Sequence, residues 1–287
     1  MTGAMTGPLT PAPIDLDGLV LPRPGAATHK HNRGRLGVVS GGPLRTGAAR
    51  LAARAGLRIG AGLVKVLCPP DAAPVLAPTL EAVMLDVFHD PLDLERLAEP
   101  MDAVVIGPAA GVDEATVLNM AALERTGAAL VLDADALTVF AGRVEQLAQG
   151  LDRDDVVTPH AGEFERLFPG LLDRAGRETA AVEAAATLGC VLVLKGDRTL
   201  VAAPDGRLRI AAGGAAWLAT AGTGDVLAGM IGGLLAQSMD SFDAASAAVA
   251  LHAEAARRFG PGLIAEDLPE LLPPLLAERL DGPGSSP

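Results

Sequence analysis

The chain has 287 residues, 49% hydrophobic and 20% charged, which supplies a sizeable core and excludes global disorder. A net charge of −12 argues against non-specific nucleic-acid binding and against docking on an anionic membrane surface. It leaves an anionic small molecule open, because backbone amides and helix N-termini override a global field locally. With no Tyr, one Trp and 34 Gly, the core must be built from Ala, Val, Leu and Ile, which suits a sheet under closely packed Ala-rich helices.

Residues 1–25, rich in Pro, Gly and Thr, are expected to form a flexible leading segment, and no basic region followed by an apolar stretch marks a signal peptide. The tract His29 to Asn32 (HKHN) looks metal-binding only superficially, since two histidines near a flexible end usually have no role. LGVVSG from Leu36 is a short apolar run ending in glycine, hence a strand, and Thr46 to Gly62 follows with helical spacing and Thr46 as N-cap. LVKVLCP, VMLDV, DAVVIGP, ALVLDAD, DVVTPH and VLVLKG repeat the strand signature, with helical stretches such as EATVLNMAALERTG and TAAVEAAATLG between them. TLVAAPDGRLRIA reads as a hairpin around a Pro-Asp-Gly turn, and two long helices follow, Gly224 to about Gln237 and Phe242 to about Phe259.

Strands alternating with helices predict a three-layer α/β/α sandwich around a mostly parallel sheet, as one domain over 26–280 with a disordered tail at 281–287. The longest apolar run, Val226 to Ala236, is too short to span a bilayer. Cys68 and Cys190 lack zinc-type spacing and fit a reduced compartment, so a cytoplasmic protein is expected.

Parallel sheets bind ligands beyond the carboxyl ends of their strands. Five segments fall there. SGGPLRTGAARLA offers tight turning at Gly41 and Gly42 and close ligand approach at Gly47 and Ala48, or simply strand-to-helix packing. In IGPAAG, Gly111 could present its amide or adopt positive φ. In LDADAL, Asp133 and Asp135 face one side of an extended segment, where they could order water or a divalent cation, or cap the next helix. In TPHAGEFERL the HxxE spacing departs from HExxH, so His160 touches a polar substrate or closes a loop rather than binding zinc, and Glu163 sits in a first helical turn. VLKGDRT delivers Lys195, Arg198 and Thr199 to a turn, where cations and a hydroxyl suit phosphate oxygens, although no Walker A pattern is present. His252, in an Ala-rich helix, reads as a packed histidine.

The remaining stretch is LATAGTGDVLAG, Leu218 to Gly229. The amides of Gly222, Thr223 and Gly224 can converge into an anion hole at the start of an apolar helix. Asp225 is either an N-cap or a base that takes a proton from an attacking hydroxyl during phosphoryl transfer. A carboxylate beside a bound anion is unfavourable as pure structure, and Thr220 or Thr223 could cap without bringing the charge, which favours the base.

Taken together, SGGPLRTGAARLAARAGLRIGAGLVKV, VIGPAAG, VLDADAL, TPHAGEFERL, VLKGDRT and LATAGTGDVLAGMIGGLLAQ resemble the ADP-dependent NAD(P)H-hydrate dehydratase family of the ribokinase-like superfamily, in family order from about Asn32 to Phe259. The resemblance implies repair of the S epimer of hydrated NADH or NADPH (NADHX, NADPHX) by an ADP-dependent lyase that uses Mg²⁺ and releases AMP and phosphate. It implies that Ala48, Gly111, His160 and Asp225 contact the hydrated dinucleotide. Lys195, Gly196, Asp197, Arg198, Thr199 and Gly224 would line the AMP portion, with Asp225 catalytic. It also implies a homotetramer and, since no N-terminal epimerase domain is expected here, pairing with a separate epimerase. Two positions depart from the family pattern: Ala109 where GPGxG has glycine, and Trp217 where smaller residues are usual. The competing readings are a ribokinase-like kinase acting on a vitamin-precursor alcohol and a non-catalytic adenine nucleotide sensor.

Overall fold

The short apolar runs become the strands of one ten-stranded sheet in a computed structural model that describes residues 10–25, 33–212 and 216–280. The strands are β1 (Ala12–Pro13), β2 (Arg35–Val39), β3 (Leu63–Cys68), β4 (Met84–Val87), β5 (Ala103–Ile106), β6 (Ala129–Leu132), β7 (Val156–Val157), β8 (Val191–Leu194), β9 (Arg198–Ala202) and β10 (Leu208–Ala212). Their spatial order is β1-β10-β9-β8-β7-β6-β5-β2-β3-β4. From β4 through β8 every pairing is parallel, while β9 runs antiparallel to both β8 and β10 as the hairpin reading expects.

Period-two alternation sends each strand's side chains to two cores. Val105 joins the core on one face, and Val104 and Ile106 join the other. The helices, in chain order, are α1 (Gly47–Arg58), α2 (Ala73–Leu76), α3 (Pro91–Ala98), α4 (Glu114–Leu123), α5 (Asp135–Thr138), α6 (Val144–Gln149), α7 (Ala161–Leu167), α8 (Leu171–Ala175), α9 (Arg177–Leu188), α10 (Thr223–Ala236), α11 (Ser241–Phe259) and α12 (Leu268–Leu280). Residues of α1, α10, α11 and α12 pack in the first core, and those of α3, α4, α7 and α9 in the second. The three-layer α/β/α sandwich around a mostly parallel sheet expected from the sequence is the observed architecture.

α10 rides on α1 with almost no side-chain spacer. A Cβ on Gly229 would run into the Ala52 carbonyl, and one on Gly233 would meet the Gly56 backbone and Ile59. The chain's aromatic poverty reflects this: a seam of Gly and Ala sets the helix that carries Asp225 directly against its neighbour.

Some elements differ from the sequence reading. The predicted helix Thr46 to Gly62 ends at Arg58, because the chain turns through Gly60 at φ +121°. α12 was not expected at all, with Pro273 and Pro274 inside it. The leading segment expected to be loose is described from residue 10, where β1 adds to β10 in parallel and Leu21 is buried. Residues 1–9, the HKHN tract and the tail 281–287 lie outside the described residues. Among the described residues no helix is long and apolar enough to cross a membrane, and Cys68 and Cys190 are buried free thiols.

Candidate active site

Strand order reverses between β2 and β5: β3 and β4 lie beyond β2 on one side, while β5 and its successors lie on the other. The crevice outside the carboxyl ends at such a switch point is where open α/β sheets bind ligands. The SGG loop after β2 and the GPAAG loop after β5 meet there, so closely that a Cβ on Gly41 would strike the Ala109 carbonyl. Ala109 itself stands at φ +59°, the left-handed region that glycine fills without strain. Its methyl is therefore held where a glycine would cost nothing. Gly111, at φ +101°, also uses a glycine conformation. Its amide, however, donates to Asp135 Oδ2 at 2.9 Å and is therefore not free for a ligand, while its carbonyl accepts the Thr116 hydroxyl at 2.7 Å. Ala48 lies in the first turn of α1, whose N-cap Thr46 makes no side-chain cap bond. The amides there keep no intrahelical partner.

Across the crevice, α10 opens on Gly222, at φ +89° with Leu51 and Ala265 so near that any side chain would clash. The Thr223 hydroxyl donates to the carbonyls of Leu218, at 2.9 Å, and Thr220, at 3.1 Å, which ties the preceding turn to the helix start. The first-turn amides of Thr223, Gly224 and Asp225 face outward without partners in the helix. The N-cap is Gly222, with no side-chain cap bond, so Asp225 does not cap α10. Among the described residues no donor bonds its carboxylate. Burial foremost, then the like charge of Asp133, pushes its pKa up to about 6, while Lys195 pulls it down.

Lys195, at the end of β8, places Nζ 2.6 Å from Asp133 Oδ1. Both groups face Gly224, whose Cβ would lie 3.4 Å from the ammonium and 3.6 Å from Asp133 Oδ2. The expectation that Asp133 and Asp135 share one face is corrected. Between them Ala134 adopts φ +51°, ψ −114°, which breaks the extended alternation and sends Asp133 to Lys195 and Asp135 to Gly111. The rest of the turn is braced: Asp197 accepts from the Arg198 amide at 2.8 Å, and Thr199 donates to the Gly196 carbonyl at 3.1 Å. Arg177, which no local pattern in the sequence singles out, donates to the carbonyl of Arg198 at 3.2 Å and sits over Gly196, whose Cβ it would meet at 2.9 Å.

His160 begins α7 as its N-cap. Nδ1 accepts from the amides of Gly162 and Glu163, and Glu163 accepts from the His160 amide at 2.8 Å. This is the capping-box geometry with an imidazole in the place of a hydroxyl, so the loop-closing reading of His160 and the first-turn reading of Glu163 both hold. Nδ1 accepts two bonds and Nε2 lies 3.3 Å from Glu163 Oε1, so the capping box holds the ring through both nitrogens. A parallel bridge joins His160 to Lys195 and brings α7 to the turn after β8. His252 is buried behind Thr223; burial drives its pKa down to about 4 and keeps it neutral. Its Nε2 has no hydrogen-bond partner among the described residues. Trp217 is 43% exposed in the turn that leads to Gly222.

A family model for NAD(P)H-hydrate dehydratase matches residues 36–274. The bifunctional NAD(P)H-hydrate repair enzyme of Gloeobacter violaceus is 41% identical over 280 residues, covering 93% of this chain and 53% of that protein. The ADP-dependent (S)-NAD(P)H-hydrate dehydratase of Xanthomonas campestris is 35% identical, covering 95% of this chain and 98% of that protein. The chain thus spans about half the length of the bifunctional relatives it matches, and nearly all of the Xanthomonas protein. Among solved structures, the ADP/ATP-dependent NAD(P)H-hydrate dehydratase from Bacillus subtilis, co-crystallized with ATP/Mg²⁺, superposes with a TM-score of 0.78 at 29% identity, covering 92% of this chain and 96% of that one.

Proposed function

The chain belongs to the NAD(P)H-hydrate dehydratase family, and from that premise we propose that it dehydrates the S epimer of hydrated NADH and NADPH at the expense of ADP, releasing AMP and phosphate. The observation that carries the reading is Asp225: a half-buried carboxylate with no hydrogen-bond donor among the described residues, one residue beyond a turn of free amides and beside a lysine. Hydroxide is a poor leaving group, and phosphate is a good one. The nicotinamide C6 hydroxyl attacks the terminal phosphorus of ADP, its proton passes to Asp225, and the P–O bond to AMP breaks. The Gly222 to Gly224 amides and the Lys195 ammonium meet the charge that builds on the phosphoryl oxygens. The ring nitrogen's lone pair then expels phosphate from C6, and loss of the C5 proton restores the C5–C6 double bond.

On this reading the nucleotide lies along Lys195, Gly196, Asp197, Arg198, Thr199 and Gly224. The hydrated ring lies over the β2–β5 crevice near Ala48, Gly111 and the half-exposed imidazole of His160. Mg²⁺ fits as an ion carried on the nucleotide's phosphates, because such ions need few protein ligands. Among the described residues no three His, Cys, Asp or Glu converge, and Asp133 is held by Lys195. No step is routed through the metal. The R epimer would require a separate epimerase, in keeping with relatives of about twice this length that are named bifunctional repair enzymes.

The test is recovery of the nicotinamide absorbance band when the protein is incubated with hydrated NADH, ADP and Mg²⁺. Stoichiometric NADH, AMP and phosphate support the reading. No recovery with either ADP or ATP sinks it, and a stable phosphorylated product without recovery would favour a kinase that uses the same base.

A further inference from the structure

Two carboxylates, three residues and one strained torsion stand between the two halves of the site. Asp133 is 3% exposed and holds the Lys195 ammonium at 2.6 Å, on the Gly224 side. Asp135 accepts the Gly111 amide at 2.9 Å, on the β2–β5 side. Residues two apart in a strand would point the same way. They part here because Ala134 stands at φ +51°, a conformation an alanine holds only when its surroundings impose it.

Those surroundings are visible. The amide of Asp133 donates to the Ile106 carbonyl at 3.2 Å and that of Asp135 to the Gly107 carbonyl at 3.3 Å. Gly107 lies so close beneath that a Cβ would collide with the Asp133 carbonyl. The segment is wedged against the end of β5, the strand whose following loop contains Ala109 and Gly111. The Ala109 carbonyl in turn abuts Gly41, in the loop that leads to α1 and Ala48.

The geometry points to Asp133–Ala134–Asp135 as a positioning strut: Asp133 sets the Lys195 ammonium at the phosphate-binding turn, and Asp135 sets the Gly111 loop at the substrate crevice. The assignment of the two sides rests on the proposed function. Neither carboxylate touches a ligand. Asp133 orients a cation that does, and Asp135 holds the left-handed Gly111 turn by its amide. The strut fixes the spacing between the acceptor hydroxyl and the phosphoryl donor, a distance to which in-line transfer is steeply sensitive.

The test is titration calorimetry with ADP and, separately, with NADH as the product that fills the crevice, on the full chain. Asp135→Ala is expected to weaken NADH about tenfold and to leave ADP within about twofold, the size of losing one well-placed hydrogen bond to a charged group. Asp133→Asn is expected to do the reverse. Because Asp133 acts through Lys195, a cycle with Lys195→Met is the sharper arm. The double variant, which removes the buried pair together and leaves no lone charge to destabilise the fold, should bind ADP as Lys195→Met does. Additive losses in the cycle, or either single variant weakening both ligands equally, would overturn the strut. Failure of the wild-type chain to restore NADH from its hydrate would overturn the reaction and leave these binding outcomes standing.

Discussion

Asp155 and Asp225 occupy opposite ends of the same sheet, and burial raises the proton affinity of both. Asp155, just before β7 at the amino ends of the strands, is 4% exposed, with its pKa pushed up to about 7. Its two oxygens accept the amides of Leu130, at 2.7 Å, and Asp152, at 2.8 Å, so the carboxylate pins the starts of two neighbouring strands. Asp225, at the carboxyl ends, is pushed to about 6 and accepts nothing among the described residues. A raised pKa therefore does not identify a working group; an acceptor with its lone pairs uncommitted, next to free amides, does. Backbone strain divides the same way. Of the three non-glycine residues with positive φ among the described residues, Ala109 and Ala134 lie at the carboxyl end of the sheet, in the loops after β5 and β6.

The strongest way to break this comparison is to exchange carboxyl for amide at the uncommitted end. Asp225→Asn is expected to lower turnover by about three orders of magnitude or more while ADP binding stays within about twofold, measured by NADH recovery and calorimetry. Asp155→Ala should do the opposite. It strands two buried amides and is expected to cost about 2–4 kcal/mol in urea unfolding, with kcat of the folded enzyme unchanged.

The pH profiles separate the two groups again. The acid limb of kcat/KM should fall as pH drops through about 6 in the wild type, because Asp225 must be ionised to accept the proton, and Asp155→Ala should retain that limb. Stability runs the other way. Between 3.8 and about 7 the folded state holds a proton on Asp155 that the unfolded chain has released. This contribution is complete below the lower value and is lost as pH rises through the upper one, so Asp155→Ala should flatten the decline of stability across that window. The smallest effect is expected of Ala109→Gly. Relief of the left-handed alanine, about 1–2 kcal/mol, is partly offset by about 0.4–1 kcal/mol of unfolded-chain entropy, so thermal denaturation should show a gain under about 1.5 kcal/mol.

The sheet was readable from the sequence because parallel strands buried on both faces leave uninterrupted apolar runs such as VVIG and VLVL. β1 was not, since two residues pair only when β10 is already in place, and α12 was hidden by consecutive prolines. At the site, Asp225 and Lys195 were legible because a glycine turn with a helix, and a strand with a cationic end, are local patterns. The separation of Asp133 from Asp135 was not, because one torsion at Ala134 decides it. Gly111's amide is committed to a carboxylate 24 positions away, which no local pattern reports. His160 was half legible: the HxxE spacing matches the offset of a capping box once an imidazole is allowed as the acceptor.

Trp217 has a practical consequence. The chain contains one tryptophan and no tyrosine, so its ultraviolet emission comes from a single indole. That indole is 43% exposed, on the turn tied to the first residue of α10 by the Thr223 hydroxyl. The protein therefore carries its own optical reporter at the rim of the crevice. Changes in emission wavelength or quenching on adding nucleotide or dinucleotide report events beside Asp225, without a label and with no background from tyrosine elsewhere in the fold.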